Sequence, residues 1–249
     1  RVKTEQWQSF WIDVEPEDEC EPGVYPVELR LVTADDETVL ASASVSVTIL
    51  PGRLPAQKLI RTHWFHTDCL AEYYRVPVFS EEHWTIIENF IRTAVRRGCT
   101  MILTPLFTPP LDTAPGGERL TVQLVDVHVC KGAYTFGFDR LERWVEICRR
   151  CGVAYLEMSH LFTQWGAAAA PKIIATVDGE EKRLFGWETD AHGEAYAHFL
   201  SEFLPALMER LNELGVAERA YFHISDEPSL DHLENYRHAC SLVKPYLQG

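Results

Sequence analysis

Hydrophobic and polar positions alternate with a strand-like period near the N-terminus and with a mixed strand-and-helix rhythm beyond it. Trp7 to Val14 reads as a strand and Pro22-Gly23 as a turn. Val24 to Thr33 reads as a second strand, with Val27, Leu29 and Leu31 on one face. Asp35-Asp36 marks another turn, and Val39 to Leu50 alternates through Val45, Val47 and Ile49. Three antiparallel strands are too few for an independent sandwich. Residues 1–50 are therefore expected to be the C-terminal part of an antiparallel β-sandwich-like domain. Residues 51–57 follow as a linker, because Leu50-Pro-Gly-Arg-Leu-Pro55 concentrates two prolines and a glycine.

From residue 58 the period changes. Lys58 to Phe65 is a short strand, after which Ser80 is placed to cap a helix closed by Gly98. Trp84, Ile87, Ile91, Ala94 and Val95 fall at helical spacing within it. Thr100 to Thr104 is the second core strand and Val153 to Met158 the third, with a helix capped by Asp139 running to Cys151 and stopped at Gly152 between them. A long helix from Gly193 to Leu214 ends at Gly215, Ala220 to Ser225 is the fourth strand, and Ser229 caps a last helix through Val243. Two long excursions interrupt this order. Residues 105–138 contain a hairpin of Thr121 to Val129 with Ala133 to Phe138, and residues 160–190 carry Trp165, Ala167 to Ala170, Pro171, Gly179 and Trp187.

Strand followed by helix, repeated four times, predicts a parallel sheet with helical crossovers. The long loops leave the carboxyl ends of strands two and three, where (β/α) barrels build their sites. The expected fold class is α/β, a (β/α)8 TIM-type barrel of which residues 58–249 supply the first four strand-helix units. A doubly wound sheet is the alternative, but no glycine-rich phosphate loop follows any of the strands.

Charge narrows the partners. A formal net charge of −14 opposes binding to nucleic acid and adsorption to anionic membrane lipid, and is compatible with a neutral sugar or a plain solvated surface. No stretch approaches the ~18 apolar residues of a membrane span. Arg1-Val-Lys-Thr-Glu-Gln has no apolar core of a signal peptide, and the chain runs directly into a strand pattern as though cut. Its seven cysteines are an odd number scattered through apolar runs, which points to reduced thiols and a cytoplasmic protein. Cys148-Arg-Arg-Cys151 has the spacing of a redox motif but lies at the end of a helical pattern instead of opening one. No cofactor is expected.

The strongest chemical candidate is Ser225-Asp226-Glu227-Pro228, where a buried strand stops and Pro228 cannot continue its ladder. Adjacent carboxylates raise one another's pKa, and a raised pKa is what a general acid needs at neutral pH. A solvated Asp-Glu-Pro turn is the bland alternative. His63-Trp64-Phe65-His66-Thr67-Asp68 closes the first strand. His63, His66 and Asp68 suggest a metal-dependent hydrolase, yet residues three apart on a strand face opposite ways and no zinc motif matches. A polar and aromatic wall is the more natural reading. Glu157-Met-Ser-His160 ends the third strand, with Trp165, Trp187 and Glu188 in the loop beyond. Indole faces pack on the C–H faces of sugars, and His or Glu side chains hydrogen-bond hydroxyls, although the same tryptophans could simply hold the loop down. Asp126 and His128 on the hairpin are weaker candidates. The candidate substrate-binding set is thus His63, Trp64, Glu157, His160, Trp165 and Trp187.

Taken together, several motifs resemble glycoside hydrolase family 123 and its bacterial relatives. They are Phe10-Trp-Ile-Asp-Val with Pro22-Gly-Val-Tyr25, Thr62-His-Trp-Phe-His, Glu157-Met-Ser-His-Leu-Phe-Thr-Gln-Trp-Gly166, Leu184-Phe-Gly-Trp-Glu188 and, most specific, Phe222-His-Ile-Ser-Asp-Glu-Pro228. The resemblance spans nearly the whole chain. It implies a β-sandwich-like domain before a (β/α)8 barrel, and exo-acting β-N-acetylgalactosaminidase activity by substrate-assisted retaining catalysis. It implies Glu227 as general acid, then base, and Asp226 as the residue that orients the 2-acetamido group, with His223 and Ser225 supporting them. The family's barrel continues for four more units that are absent here, so either a fragment of a longer protein or a remainder carried on another chain is expected. A half barrel exposes two sheet edges, which favours association, including homo-oligomers. A carbohydrate-binding barrel without turnover is the rival reading.

Overall fold

The computed structural model describes residues 6–17, 19–55, 58–111 and 113–247. Parts of the expected N-terminal strand domain, of the linker (residues 56 and 57) and of the C-terminus lie outside them. The chain divides into two compact units, Arg1–Gln57 and Lys58–Gly249.

In the first unit β1 (Gly23–Val32) and β2 (Val39–Ile49) form an antiparallel ribbon, with Val27 opposite Val45 and Leu29 opposite Ala43. The third expected strand, Trp7 to Val14, is not formed. Residues 6–17 have no regular structure, and Trp7, Phe10, Trp11, Ile12 and Val14 are exposed. Alternation alone does not make a strand. It needs a partner strand, and among the described residues β1 and β2 pair only with each other, leaving their outer edges unpaired.

The second unit is mixed α/β, with one parallel and one largely antiparallel sheet. β3 (Thr62–His63), β4 (Met101–Thr104), β7 (Tyr155–Met158) and β10 (Ala220–Phe222) lie side by side in chain order, all parallel. The helices between and after them are α1 (Thr67–Tyr74), α2 (Glu81–Arg96), α3 (Asp139–Cys151), α4 (Glu194–Glu213) and α5 (Leu233–Val243). Ser80 Oγ accepts the His83 N–H at 3.2 Å and caps α2 as expected. Asp139 does not cap α3. It is the first helical residue, where its charge suits the positive end of the helix. Ser229 likewise precedes a short 3₁₀ turn, and its hydroxyl meets His232 Nδ1 instead of a helix N–H.

Both excursions contribute to the second sheet. β5 (Asp126–Cys130) and β6 (Ala133–Gly137) form the expected hairpin, shorter than the pattern suggested. Residues 121–125 are instead a buried connector in which Leu124 N–H bonds the carbonyl oxygens of Pro105 and Leu106. β8 (Ile173–Val177) runs parallel to β5 and turns into β9 (Glu180–Phe185), giving the order β6-β5-β8-β9.

The core gathers residues of the parallel sheet, its helices and the second sheet. Ile87 and Ile91 of α2, Trp144 of α3, and Tyr196, Phe199 and Phe203 of α4 are all fully buried, as is Met158. Each such side chain contributes roughly 1.5–3 kcal/mol through burial. The Trp144 indole N–H donates to Thr104 Oγ1 at 3.2 Å, so its one polar atom is satisfied. Among the described residues no helix is long and apolar enough to cross a membrane.

Candidate active site

Successive residues of a strand face opposite sides of a sheet. On β7, Leu156 and Met158 enter the hydrophobic core, which leaves Glu157 on the other face. Glu157 sits at the middle of the parallel sheet, in register with Leu103 on one side and Tyr221 on the other. It is only 5% exposed. A bare carboxylate there would be costly, and three donors converge on it. Thr62 Oγ1 donates to Oε2 at 2.6 Å and Trp64 Nε1 to the same oxygen at 2.8 Å, while His223 Nδ1 lies 3.1 Å from Oε1. Burial pushes the Glu157 carboxyl pKa up, but the hydrogen bonds from His223, Thr62 and Trp64 and the charge of His223 outweigh it and hold the pKa below the ordinary value.

His160 follows two residues after β7 and is fully buried. Neither of its ring nitrogens has a hydrogen-bond partner among the described residues. Its ring lies edge-on to Trp64 at 5.4 Å between centroids and 3.9 Å from that of His223. Burial first, and then the neighbouring His223, lowers its pKa to about 3, so it is neutral. An orphaned buried polar atom costs about 1–3 kcal/mol. Such a cost is usually retained for a function.

The fourth strand stops at Phe222, short of the expected Ser225, and Asp226 and Glu227 follow β10 by four and five residues in a bend of the chain. Glu227 has φ +47°, in the left-handed region, as do Trp165 at +58° and Gly166 at +127°. The two strained segments face each other and are stitched together. Trp165 N–H donates to Asp226 O at 3.1 Å, Trp165 Nε1 donates to Glu227 Oε2 at 2.8 Å, and the buried Ser225 donates to Thr163 O at 2.8 Å. Gly166 suits its position: L side chains rarely adopt a φ of +127°, and a Cβ there would press on the His232 ring at 3.1 Å. The two carboxylates thus face different company. Glu227 is exposed on the Trp165 indole. Asp226 is half-buried, and one carboxylate oxygen groups with a nitrogen of His160 and one of His223, all within 4.8 Å of one another.

The structure therefore brings Trp64, Glu157, His160 and Asp226 into one cluster, with Glu227 and Trp165 at its rim. His63 and Trp187 are elsewhere. His63 is exposed and its Nε2 accepts from Arg61 Nε at 3.2 Å. The Trp187 indole donates to Gly117 O at 3.1 Å beside Arg119, Lys172 and Arg183. Glu188 pairs with Arg183, and Asp126 with Arg140. Asp68 does not join His63 and His66 around a metal: it is buried in a two-pronged ion pair with Arg119, at 2.8 and 3.0 Å. His128 is exposed on β5. Sequence reasoning underrated Thr62 and His223. Their signal was weak but real, since each lies on the strand residue or strand end that shares the Glu157 face.

Carboxylates, imidazoles and indoles gathered at one end of a parallel α/β sheet suit the hydrolysis of sugars. The chain belongs to glycoside hydrolase family 123: the family model described as "Glycoside hydrolase 123, catalytic domain" matches residues 64–249. It is thus a glycoside hydrolase of carbohydrate metabolism. No match was found among the curated proteins.

Proposed function

We propose that this chain carries the catalytic pair of an exo-acting β-N-acetylgalactosaminidase that works by substrate-assisted, retaining catalysis. The observation that carries the reading is the divergence of Asp226 and Glu227 after β10 into two environments. Asp226 holds the 2-acetamido N–H while the acetamide carbonyl oxygen forms a bond to C1. As the glycosidic C1–O bond breaks, the leaving oxygen takes the proton of Glu227. Water then attacks C1 and gives a proton back to Glu227, and the acetamide is restored. No enzyme nucleophile is needed in this scheme.

Trp64 and Trp165 supply indole surface beside the pair, and Glu157 and His160 line its floor. His63 and Trp187 have other partners and are left out of the proposed pocket. The four parallel strands are read as the first half of a (β/α)8 barrel, and the seven free cysteines suit a reducing cytoplasm. The test is hydrolysis of an aryl N-acetyl-β-galactosaminide. Glu227→Gln and Asp226→Asn are each expected to lower kcat/KM by about 10²–10⁴-fold. Wild-type turnover in both variants refutes the assignment.

A further inference from the structure

We propose that His160, His223 and Asp226 form a binding site for a divalent transition-metal ion of the zinc class. Each residue offers one ligand atom, and the three atoms lie within 4.8 Å of one another. A tetrahedral site with bonds of 2.0–2.2 Å places its ligand atoms roughly 3.3 Å apart, so the three atoms close on an ion with shifts of about 1.5 Å or less. Side-chain rotation provides that.

Three further observations point to an ion. First, His160 is fully buried with both ring nitrogens unpartnered, an arrangement that a metal bond relieves and that nothing else in the described structure does. Second, His223 is oriented from behind by a carboxylate: Glu157 Oε1 lies 3.1 Å from its Nδ1, leaving Nε2 for an ion. A carboxylate–histidine pair is the usual support of a metal-bound imidazole. Third, Glu157 is in turn fixed by Thr62 and Trp64, so the support is itself rigid. Two imidazoles and one carboxylate select zinc, cobalt or nickel over magnesium or calcium, which prefer oxygen donors. Three protein ligands leave a fourth position open.

Because Asp226 is shared, an ion and an N-acetylated sugar exclude one another. Under the role proposed above for Asp226, the ion is then a reversible inhibitor; that consequence rests on the earlier reading, whereas the binding does not. The experiment accordingly measures binding without sugar or turnover. Calorimetric titration of the chelator-treated chain with Zn²⁺ is expected to show one site that is weakened at least tenfold in His160→Ala and in Asp226→Asn. It should be unchanged in His128→Ala, and Mg²⁺ at a thousandfold excess should not displace the ion. Since His160 is buried and its loss risks unfolding, X-ray absorption on the zinc-loaded wild type provides the second measurement. Nitrogen and oxygen ligands near 2.0 Å, with two imidazoles, support the site. Sulfur ligation, which would reveal binding at the exposed Cys69 or Cys130, overturns it. So does zinc affinity equal in wild type and Asp226→Asn.

Discussion

Glu157 lies on β7 and Glu227 on the turn that follows the neighbouring parallel strand β10, yet they are held in opposite ways. Glu157 is buried on the strand itself, met by Thr62, Trp64 and His223, with its pKa below the ordinary value. Glu227 is exposed on a left-handed turn and rests on the Trp165 indole. The first is a fixed anion whose solvation has been replaced by protein donors. The second keeps contact with water. A buried, fixed anion beneath an exposed carboxylate is a sensible division of labour for chemistry on a bound sugar.

The largest effect should come from breaking the floor. Glu157→Ala leaves buried donors and His223 without their acceptor, and urea denaturation should show a loss of about 3 kcal/mol. A loss below about 1 kcal/mol would mean that water replaces the carboxylate and that the floor is not pre-formed. Next comes the rim's backbone. Gly166→Ala combines a left-handed φ of +127° with a contact against His232, and should cost about 2 kcal/mol in the same assay. A smaller effect is expected when only the indole hydrogen bond goes. Trp165→Phe should leave folding within about 1 kcal/mol of wild type and lower kcat/KM on the aryl substrate about tenfold. If stability falls as far as in Glu157→Ala, Trp165 is scaffold and the contrast between floor and rim fails.

The smallest effect lies away from both, in the titration of the scaffold. His83 Nδ1 accepts the Phe79 N–H at 2.9 Å, so Nε2 carries the proton donated to Thr67 O at 2.9 Å. Burial lowers its pKa below the ordinary 6.5, partly offset by the bond to Thr67 and the charge of Asp68. The unfolded chain therefore takes up this proton first. Stability from this group is complete above about pH 6.5 and declines as pH falls below it. Thermal melts from pH 7.5 to 5.5 should show that decline in wild type and less of it in His83→Gln. An unchanged slope would place the effect elsewhere.

Much of this contrast was legible in the sequence, but unevenly. The parallel strands and their helices announce themselves through short apolar runs, the Ser80 cap and glycine stops such as Gly152, which sits at φ +82° as a left-handed terminator. The Asp-Glu pair was visible because it falls between a strand-forming run and Pro228. What holds Glu157 was not visible, since its partners Thr62, Trp64 and His223 lie 95, 93 and 66 residues away in the chain. Only the parallel register brings them together. β9 escaped notice for another reason: Glu180 to Arg183 is an exposed edge segment, where charge is tolerated and the apolar signal is absent. Conversely, Trp7 to Val14 carried a strand pattern but pairs with neither β1 nor β2.

The central claim is that Glu227 works with the substrate's own acetamide under the guidance of Asp226. The most direct test compares an aryl 2-acetamido-2-deoxy-β-galactoside with the aryl β-galactoside that has a hydroxyl at the same carbon, on one preparation of the protein. The account predicts turnover of the acetamido sugar and a kcat/KM at least 10³-fold lower for the hydroxyl sugar, because the attacking carbonyl oxygen is missing. Equal hydrolysis of the two would contradict it.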